Sequence, residues 1–196
     1  MNYNYDFDRK GYIMRIIAGT ARSLPLRTIE SMGTRPTTDR IKETLFNMLQ
    51  NEVPGCYFLD LFAGSGQIGL EAVSRGARYA VFVENDRKAA ACIEDNIHFT
   101  KFEKETKLYQ SEVISALRSM EGKYKFDIIF MDPPYKKDLE KDVLNYLKDS
   151  SLLKEDSLII VEASLETDFS YLDELGLAVR KLKTYKTNEH AFIQKK

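Results

Sequence analysis

From residue 57 onward, short apolar runs alternate with stretches whose apolar residues recur at helical spacing. Tyr57-Phe58-Leu59-Asp60-Leu61 reads as a strand, and residues 67–76 as a helix closed by Gly76. Ala80-Val81-Phe82-Val83 is a second strand, followed by a helix near 86–99. A short strand at Lys107-Leu108-Tyr109 precedes a helix near 112–120. Asp127-Ile128-Ile129-Phe130-Met131 precedes a helix near 138–148, and Leu158-Ile159-Ile160-Val161 is the fifth strand. Repeated strand–helix units predict a parallel sheet covered by helices on both faces. The end of the chain breaks the pattern. Residues 177–184 and 190–195 read as two strands joined by the polar turn Lys186-Thr187-Asn188-Glu189, an antiparallel hairpin added to one sheet edge. The fold class is therefore α/β, Rossmann-like, with seven strands that are mostly parallel.

The first fifty residues follow a different pattern. Residues 1–13 are polar, aperiodic and rich in Tyr and Asn, and read as a flexible extension with a second start at Met14. Arg15–Gly19 and Leu24–Arg27 read as two short strands around a turn. Thr37-Thr38-Asp39 then opens a helix with Ile41, Leu45, Phe46, Met48 and Leu49 on its apolar side. The expected organisation is an extension over 1–13, a basic hairpin and helix over 14–50, and a main domain over 51–196. Charge supports that division. Residues 14–50 are net +3, while 51–196 are net −4, within a chain whose net charge is −1.

Composition narrows the chemistry. In 196 residues, two cysteines (Cys56 and Cys92) and two histidines (His98 and His190) make neither a disulfide framework nor a multi-ligand metal site. No apolar run reaches the ~18 residues of a membrane span, and no signal peptide is visible. The expectation is a cytoplasmic protein with reduced thiols, without metal and, by size, monomeric.

The most informative loop is Asp60-Leu61-Phe62-Ala63-Gly64-Ser65-Gly66-Gln67-Ile68-Gly69, at a strand-to-helix junction. Its glycines satisfy G-x-G-x-x-G, where the backbone turns tightly and a ligand lies against it. Glu84 ends the next strand, 18 positions after Gly66. An acid there accepts hydrogen bonds from both ribose hydroxyls of an adenosine. A nicotinamide dinucleotide would bring a pyrophosphate toward Asp60, which would repel it. Asp60 instead suits the amino group of a methionine moiety, so the loop points to S-adenosylmethionine. Glu112 follows the third strand, where methyltransferases whose loop this one resembles often carry an acid near the adenine amino group; it reads equally as a solvated first-turn acid.

The fourth strand runs into Asp132-Pro133-Pro134-Tyr135. Two prolines fix two φ angles and remove two N–H donors, leaving a stiff loop with free acceptors. Acceptors around an exocyclic amine draw its nitrogen toward tetrahedral geometry and release its ring-delocalised lone pair. Tyr135 would stack on a base turned out of its helix. With an activated methyl donor, the remaining work is alignment and electrostatics. Both loops follow strand C-termini, where open α/β sheets bind ligands. The basic entrance, Arg15, Arg22, Arg27, Arg35 and Arg40, reads equally as phosphate contacts or as a solvated face capped at Thr37 or Thr38.

Five motifs occur in one order: M-R-I-I-A-G at 14–19, G-T-R-P-T-T-D-R-I-K-E-T-L-F-N at 33–47, D-L-F-A-G-S-G at 60–66, V-E-N-D at 83–86 and M-D-P-P-Y at 131–135. In these the chain resembles the RsmD family, bacterial methyltransferases of guanine N2 in small-subunit (16S) ribosomal RNA. The resemblance covers 14–196 and rests most on G-T-R-P-T-x-D-R. It implies a class I S-adenosylmethionine-dependent methyltransferase fold with sheet order 3-2-1-4-5-7-6. It further implies S-adenosylhomocysteine as product and a substrate presented on the assembled or partly assembled small subunit. By that resemblance Asp60, Phe62, Ala63, Gly64, Ser65, Gly66, Glu84 and Asn85 would hold the cofactor, with Glu112 beside them. Asp132, Pro133, Pro134 and Tyr135 would hold the target amine, and Arg15, Arg35, Thr37, Asp39 and Arg40 would line the entrance. Two positions depart from the family: Glu112 stands where Asp is usual, and Lys186 follows Tyr185 where Gly is usual. A DNA adenine-N6 methyltransferase also uses D-P-P-Y, but the 66 positions between Gly66 and Asp132 leave no room for a target-reading region. A catalytically idle RNA-binding factor would keep the fold and lose the loops.

Overall fold

The computed structural model describes residues 14–28, 39–134 and 138–196. Strands β1 (Tyr57–Leu61), β2 (Tyr79–Glu84), β3 (Thr106–Gln110), β4 (Phe126–Met131), β5 (Leu153–Ala163), β6 (Leu177–Thr184) and β7 (Glu189–Lys195) form one sheet in the order β3-β2-β1-β4-β5-β7-β6. The first five are parallel, and β7 runs antiparallel to both β5 and β6. Strand order therefore reverses between β1 and β4, which opens a crevice at their C-terminal ends.

Period-two alternation assigns the two faces of the sheet. Phe58, Phe82, Ile128, Phe130, Ile160 and Phe192 point to one face. There they pack against α1 (Asp39–Met48), α2 (Gln67–Ser74), α3 (Arg87–Thr100) and the N-terminal segment. Leu59, Leu61, Val81, Ile129, Met131 and Ile159 point to the other. They meet α4 (Val113–Met120), α5 (Leu139–Leu147) and a short 3₁₀ helix, Ser170–Leu175.

Three local readings change. The two strands expected over 15–27 reduce to a single antiparallel bridge between Arg15 and Pro25. The segments still bond to each other, Ile16 N donating to the Leu24 carbonyl at 3.0 Å and Leu26 N to the Met14 carbonyl at 2.8 Å, while the turn between them is held by the body of the protein. Glu71 of α2 accepts from the amides of Ile17 (2.7 Å) and Ala18 (3.0 Å), and the Ser74 carbonyl accepts from Thr20 (2.8 Å). Gly19, at φ +85°, makes this docking possible, because a Cβ there would lie 1.7 Å from the Ser74 carbonyl oxygen. Second, β5 begins at Leu153, well before the apolar run that reveals it. A register shift between Phe126 and Ile128 admits the polar residues 154–157, and the Ser157 hydroxyl closes the irregularity on the Phe126 carbonyl at 2.7 Å. Third, the 3₁₀ helix is too short to show a period.

Charge is buried where periodicity shows only a polar residue. Lys42 sits inside α1's packed face, fully buried beside Leu45 and Phe46. Its ammonium donates to the Arg15 carbonyl and lies 3.6 Å from Glu71, which is equally buried and also takes Arg75 Nε at 2.7 Å. Burial pulls the Lys42 ammonium below its ordinary range, and Glu71 and Asp39 oppose that. This network ties the N-terminal segment, α1 and α2 into one unit.

Candidate active site

The strand-to-helix loop after β1 is held open by its own hydrogen bonds. Asp60 is buried and its Oδ2 accepts from the Gly69 amide at 2.8 Å. Phe62 follows β1 at φ +58°, a left-handed conformation that a bulky side chain rarely adopts. Ala63 N then donates to the Val83 carbonyl at 3.1 Å, and Gly66, at φ +76°, starts α2. Glu84 bridges this loop to the end of β2. Its Oε2 accepts from Gly64 N and its Oε1 from Asp86 N, each at 2.8 Å. Ser65 is fixed through its carbonyl, which accepts from Asn96 Nδ2 at 2.9 Å.

The loop presents what an adenosine-type ligand needs. A Cβ on Gly64 would meet nothing within 4 Å, so the backbone there faces free space. Glu84 keeps acceptor capacity beyond its two amide bonds. Gln67 Oε1, in the first turn of α2, is buried with no partner among the described residues. It is an acceptor the sequence reading overlooked, because a glutamine after a glycine loop reads as surface. Asn85 is exposed beside Glu84, and Glu112 is exposed at the N-cap of α4 with no side-chain capping bond. Gly69 has a different task. A Cβ there would sit 2.3 Å from Phe82 Cε1, so this glycine sets the approach of α2 to the sheet. Gly69→Ala is expected to cost about 1–3 kcal/mol through overpacking and to weaken cofactor binding, readable by thermal melts with and without S-adenosylmethionine.

The loop after β4 arrives at the same end of the sheet. Asp60 pairs in register with Phe130, so Asp132 stands two residues farther along the neighbouring strand, on the same face. Pro133 is buried and Pro134 exposed. Tyr135 lies outside the described residues, as do Arg35 and Thr37. Four carboxyl groups gather here, from Asp60, Glu84, Asp132 and Glu162, and their effect is visible in protonation. Burial, with Asp132 and Glu84 nearby, raises Asp60 well above the usual carboxylate range against the Gly69 hydrogen bond. Burial and the neighbouring Glu162 push Asp132 up to about 8. Such a cluster is costly to ionise in the free protein and complements a cationic ligand.

The entrance arginines Arg15 and Arg27 pair with acids. Arg15 Nε is 2.9 Å from Asp39, and Arg27 pairs with Asp95. Arg40 is exposed on α1. Arg15, Ile17, Arg22, Asp39 and Glu43 line a shallow pocket in this region. Exposed pairs of this kind contribute little to stability, which leaves the arginines available to exchange partners. Among the described residues there is no cluster able to hold a metal, and no helix is long and apolar enough to cross a membrane.

Sheet order, helix layering and a ligand loop at the β1/β4 switch point define the Rossmann-like methyltransferase fold. The chain belongs to the family described as Conserved hypothetical protein 95, which matches residues 14–194 and is the RsmD family of the motifs above. It is 39% identical over 154 residues to Ribosomal RNA small subunit methyltransferase D of Haemophilus influenzae, covering 76% of this chain and 78% of that one. To the protein of the same name in Escherichia coli K12 it is 38% identical over 153 residues, covering 78% and 76%. Among solved structures, the Escherichia coli protein yhhF superposes with a TM-score of 0.80 at 32% identity, covering 94% of this chain and 98% of that one.

Proposed function

We propose that this protein transfers a methyl group from S-adenosylmethionine to the exocyclic N2 amine of a guanine in 16S ribosomal RNA. One observation carries the reading. A glycine loop closed by Asp60 and Glu84 and an Asp132-Pro133-Pro134 loop lie on neighbouring strand ends in a family whose named relatives are small-subunit rRNA methyltransferases.

Glu84 would hold the ribose hydroxyls, Asp60 the amino group of the methionine moiety, and Phe62, Ala63, Gly64, Ser65 and Gly66 the backbone bed around them, with Asn85 and Glu112 at the adenine side. S-adenosylmethionine supplies a methyl group on a positively charged sulfur, and S-adenosylhomocysteine is the neutral product. Asp132 and the Pro133 and Pro134 carbonyls accept the N–H groups of the target amine. Their pull localises the nitrogen lone pair at the moment it is needed. When the amine has gained its methyl group, Asp132 takes the proton it sheds. A ligand with a positive sulfur and a positive amine also lowers the affinity of Asp60 and Asp132 for protons, so cofactor binding near neutral pH releases protons.

The substrate is a base turned out of its stack, with Tyr135 against its face. Arg15, Arg35 and Arg40 contact backbone phosphates near it, with Thr37 and Asp39 shaping the approach. Recognition of the assembled or partly assembled subunit rather than naked RNA fits the near-neutral total charge, since a long electrostatic footprint is missing. The protein acts as a cytoplasmic monomer. The test is transfer of labelled methyl to small subunits lacking the modification, to naked small-subunit RNA and to DNA in parallel. Label in subunits is expected. Label confined to DNA, or cofactor binding without any transfer, would reject the reading.

A further inference from the structure

The C-terminal hairpin brings a second set of buried polar groups to the catalytic end of the sheet. Met131 pairs with Val161, so Asp132 and Glu162 are the next residues on neighbouring parallel strands, facing the same way. Glu162 in turn pairs with His190 across β5 and β7. Glu162, Asn188 and His190 are 5%, 4% and 0% exposed. The Glu162 carboxylate accepts from Asn188 Nδ2 on one oxygen and faces His190 Nε2 at 3.1 Å on the other. His190 Nδ1 is 3.3 Å from the Tyr185 hydroxyl, and the ring stands edge-on to Phe130 at 6.0 Å, two residues before Asp132. One tautomer satisfies the chain. The Tyr185 hydroxyl donates to Nδ1, and Nε2–H donates to the Glu162 carboxylate. An apolar cluster would hold β5 to β7 at least as well. The polar one therefore calls for another explanation.

We propose that Glu162, locked by His190, Asn188 and Tyr185, is a positioning residue that places a fixed negative charge behind Asp132 and thereby fits Asp132 to accept the proton released by the methylated amine. This rests on the methyl-transfer reading above. Among the described residues, the charged and titratable groups around Asp132 are Asp60 from β1, Glu84 from β2, Glu162 from β5 and His190 from β7. Of these, only His190 is not acidic. In the step itself the amine N–H bond breaks, its electrons stay on nitrogen, and the proton forms an O–H bond on Asp132 before passing to solvent.

The test is titration of the Asp132 carboxyl carbon by NMR in protein labelled with ¹³C at aspartate, in the wild type, Glu162→Gln and Tyr185→Phe. The Asp132 midpoint is expected to fall by about one pH unit or more in Glu162→Gln, a tenfold change in proton affinity. Tyr185→Phe removes one oxygen from a half-buried ring and should move it the same way by less. In methylation assays the acid limb of kcat/KM against pH should shift to lower pH by the same amount, with a several-fold lower plateau in kcat and little change in cofactor KM. A midpoint that stays put in both variants, or a loss of activity equal at every pH, would overturn the proposal. Absence of methyl transfer by the wild type would instead fail the functional reading, and the NMR titration would still decide the relation between Glu162 and Asp132.

Discussion

Asp132→Asn is expected to lower kcat for methyl transfer by roughly 10²–10⁴ and at the same time to make the protein more stable above neutral pH. The first effect follows from losing the only side-chain carboxylate placed on the Asp-Pro-Pro loop beside the glycine loop. An amide still accepts a hydrogen bond, but it takes no proton and carries no charge to polarise the amine. The second effect follows from linkage. In the folded protein Asp132 holds its proton up to a pH of about 8, against the ordinary value of 3.8. Below about pH 4 the carboxyl is protonated in both folded and unfolded chains, and the two proteins should melt alike. As pH rises through 4 to 8 the unfolded wild type gives up its proton first, so the wild type loses stability relative to Asn. A shift of this size corresponds to roughly 5 kcal/mol at pH 8, or about 10 °C or more in Tm for a chain of this size. Melting curves of both proteins across pH, beside single-turnover rates, measure both halves. An Asn variant that is inactive and also destabilised at every pH would show that Asp132 serves the fold.

The largest expected loss of stability lies away from the chemistry, at Glu71. Its carboxylate takes the Ile17 and Ala18 amides, the Arg75 guanidinium and the ammonium of buried Lys42. Glu71→Ala leaves Lys42 enclosed with a charge, answered by the Arg15 carbonyl and, at longer range, by Asp39. Removing one partner of a buried pair typically costs about 3–5 kcal/mol, or a fall in Tm of roughly 10 °C. The damage should concentrate where the network acts. Amide exchange should quicken first in residues 14–28 and in α1, while β1 and β4 keep their protection. Lys42→Met in the Glu71→Ala background removes the stranded charge and should recover part of the loss, a coupling that a double-mutant cycle reads directly. Equal Tm in Glu71→Ala and wild type would mean that the N-terminal segment docks through apolar contacts alone.

The contrast between these two sites explains what the sequence makes legible. Strand β4 and its Asp-Pro-Pro ending are visible because an uninterrupted apolar run, Ile128 to Met131, ends at a residue pair that cannot continue it. The glycine loop is visible because local backbone demands select residue types at fixed offsets. Lys42 is not, because periodicity marks it polar and its burial depends on Glu71, 29 positions away, becoming its neighbour. His190 and Glu162 are hidden for the same reason, 28 positions apart on strands that meet only in the folded sheet. The start of β5 is masked by Lys154, Glu155 and Asp156, polar residues that a register shift accommodates. The entrance arginines show the converse. Their clustering is plain in the sequence, whereas the pairing of Arg15 with Asp39 and of Arg27 with Asp95 appears only in three dimensions.

The measurement that tests the central claim most directly is the identity of the methylated nucleoside. Small subunits lacking the modification are incubated with the protein and labelled S-adenosylmethionine, the RNA is digested to nucleosides, and the label is located by chromatography and mass. Acceptors gathered around the Asp132 loop, in a family with relatives named as small-subunit rRNA methyltransferases, lead the proposed reading to predict N2-methylguanosine as the single labelled product. Label on adenine N6, on a ring nitrogen or on ribose would contradict the account.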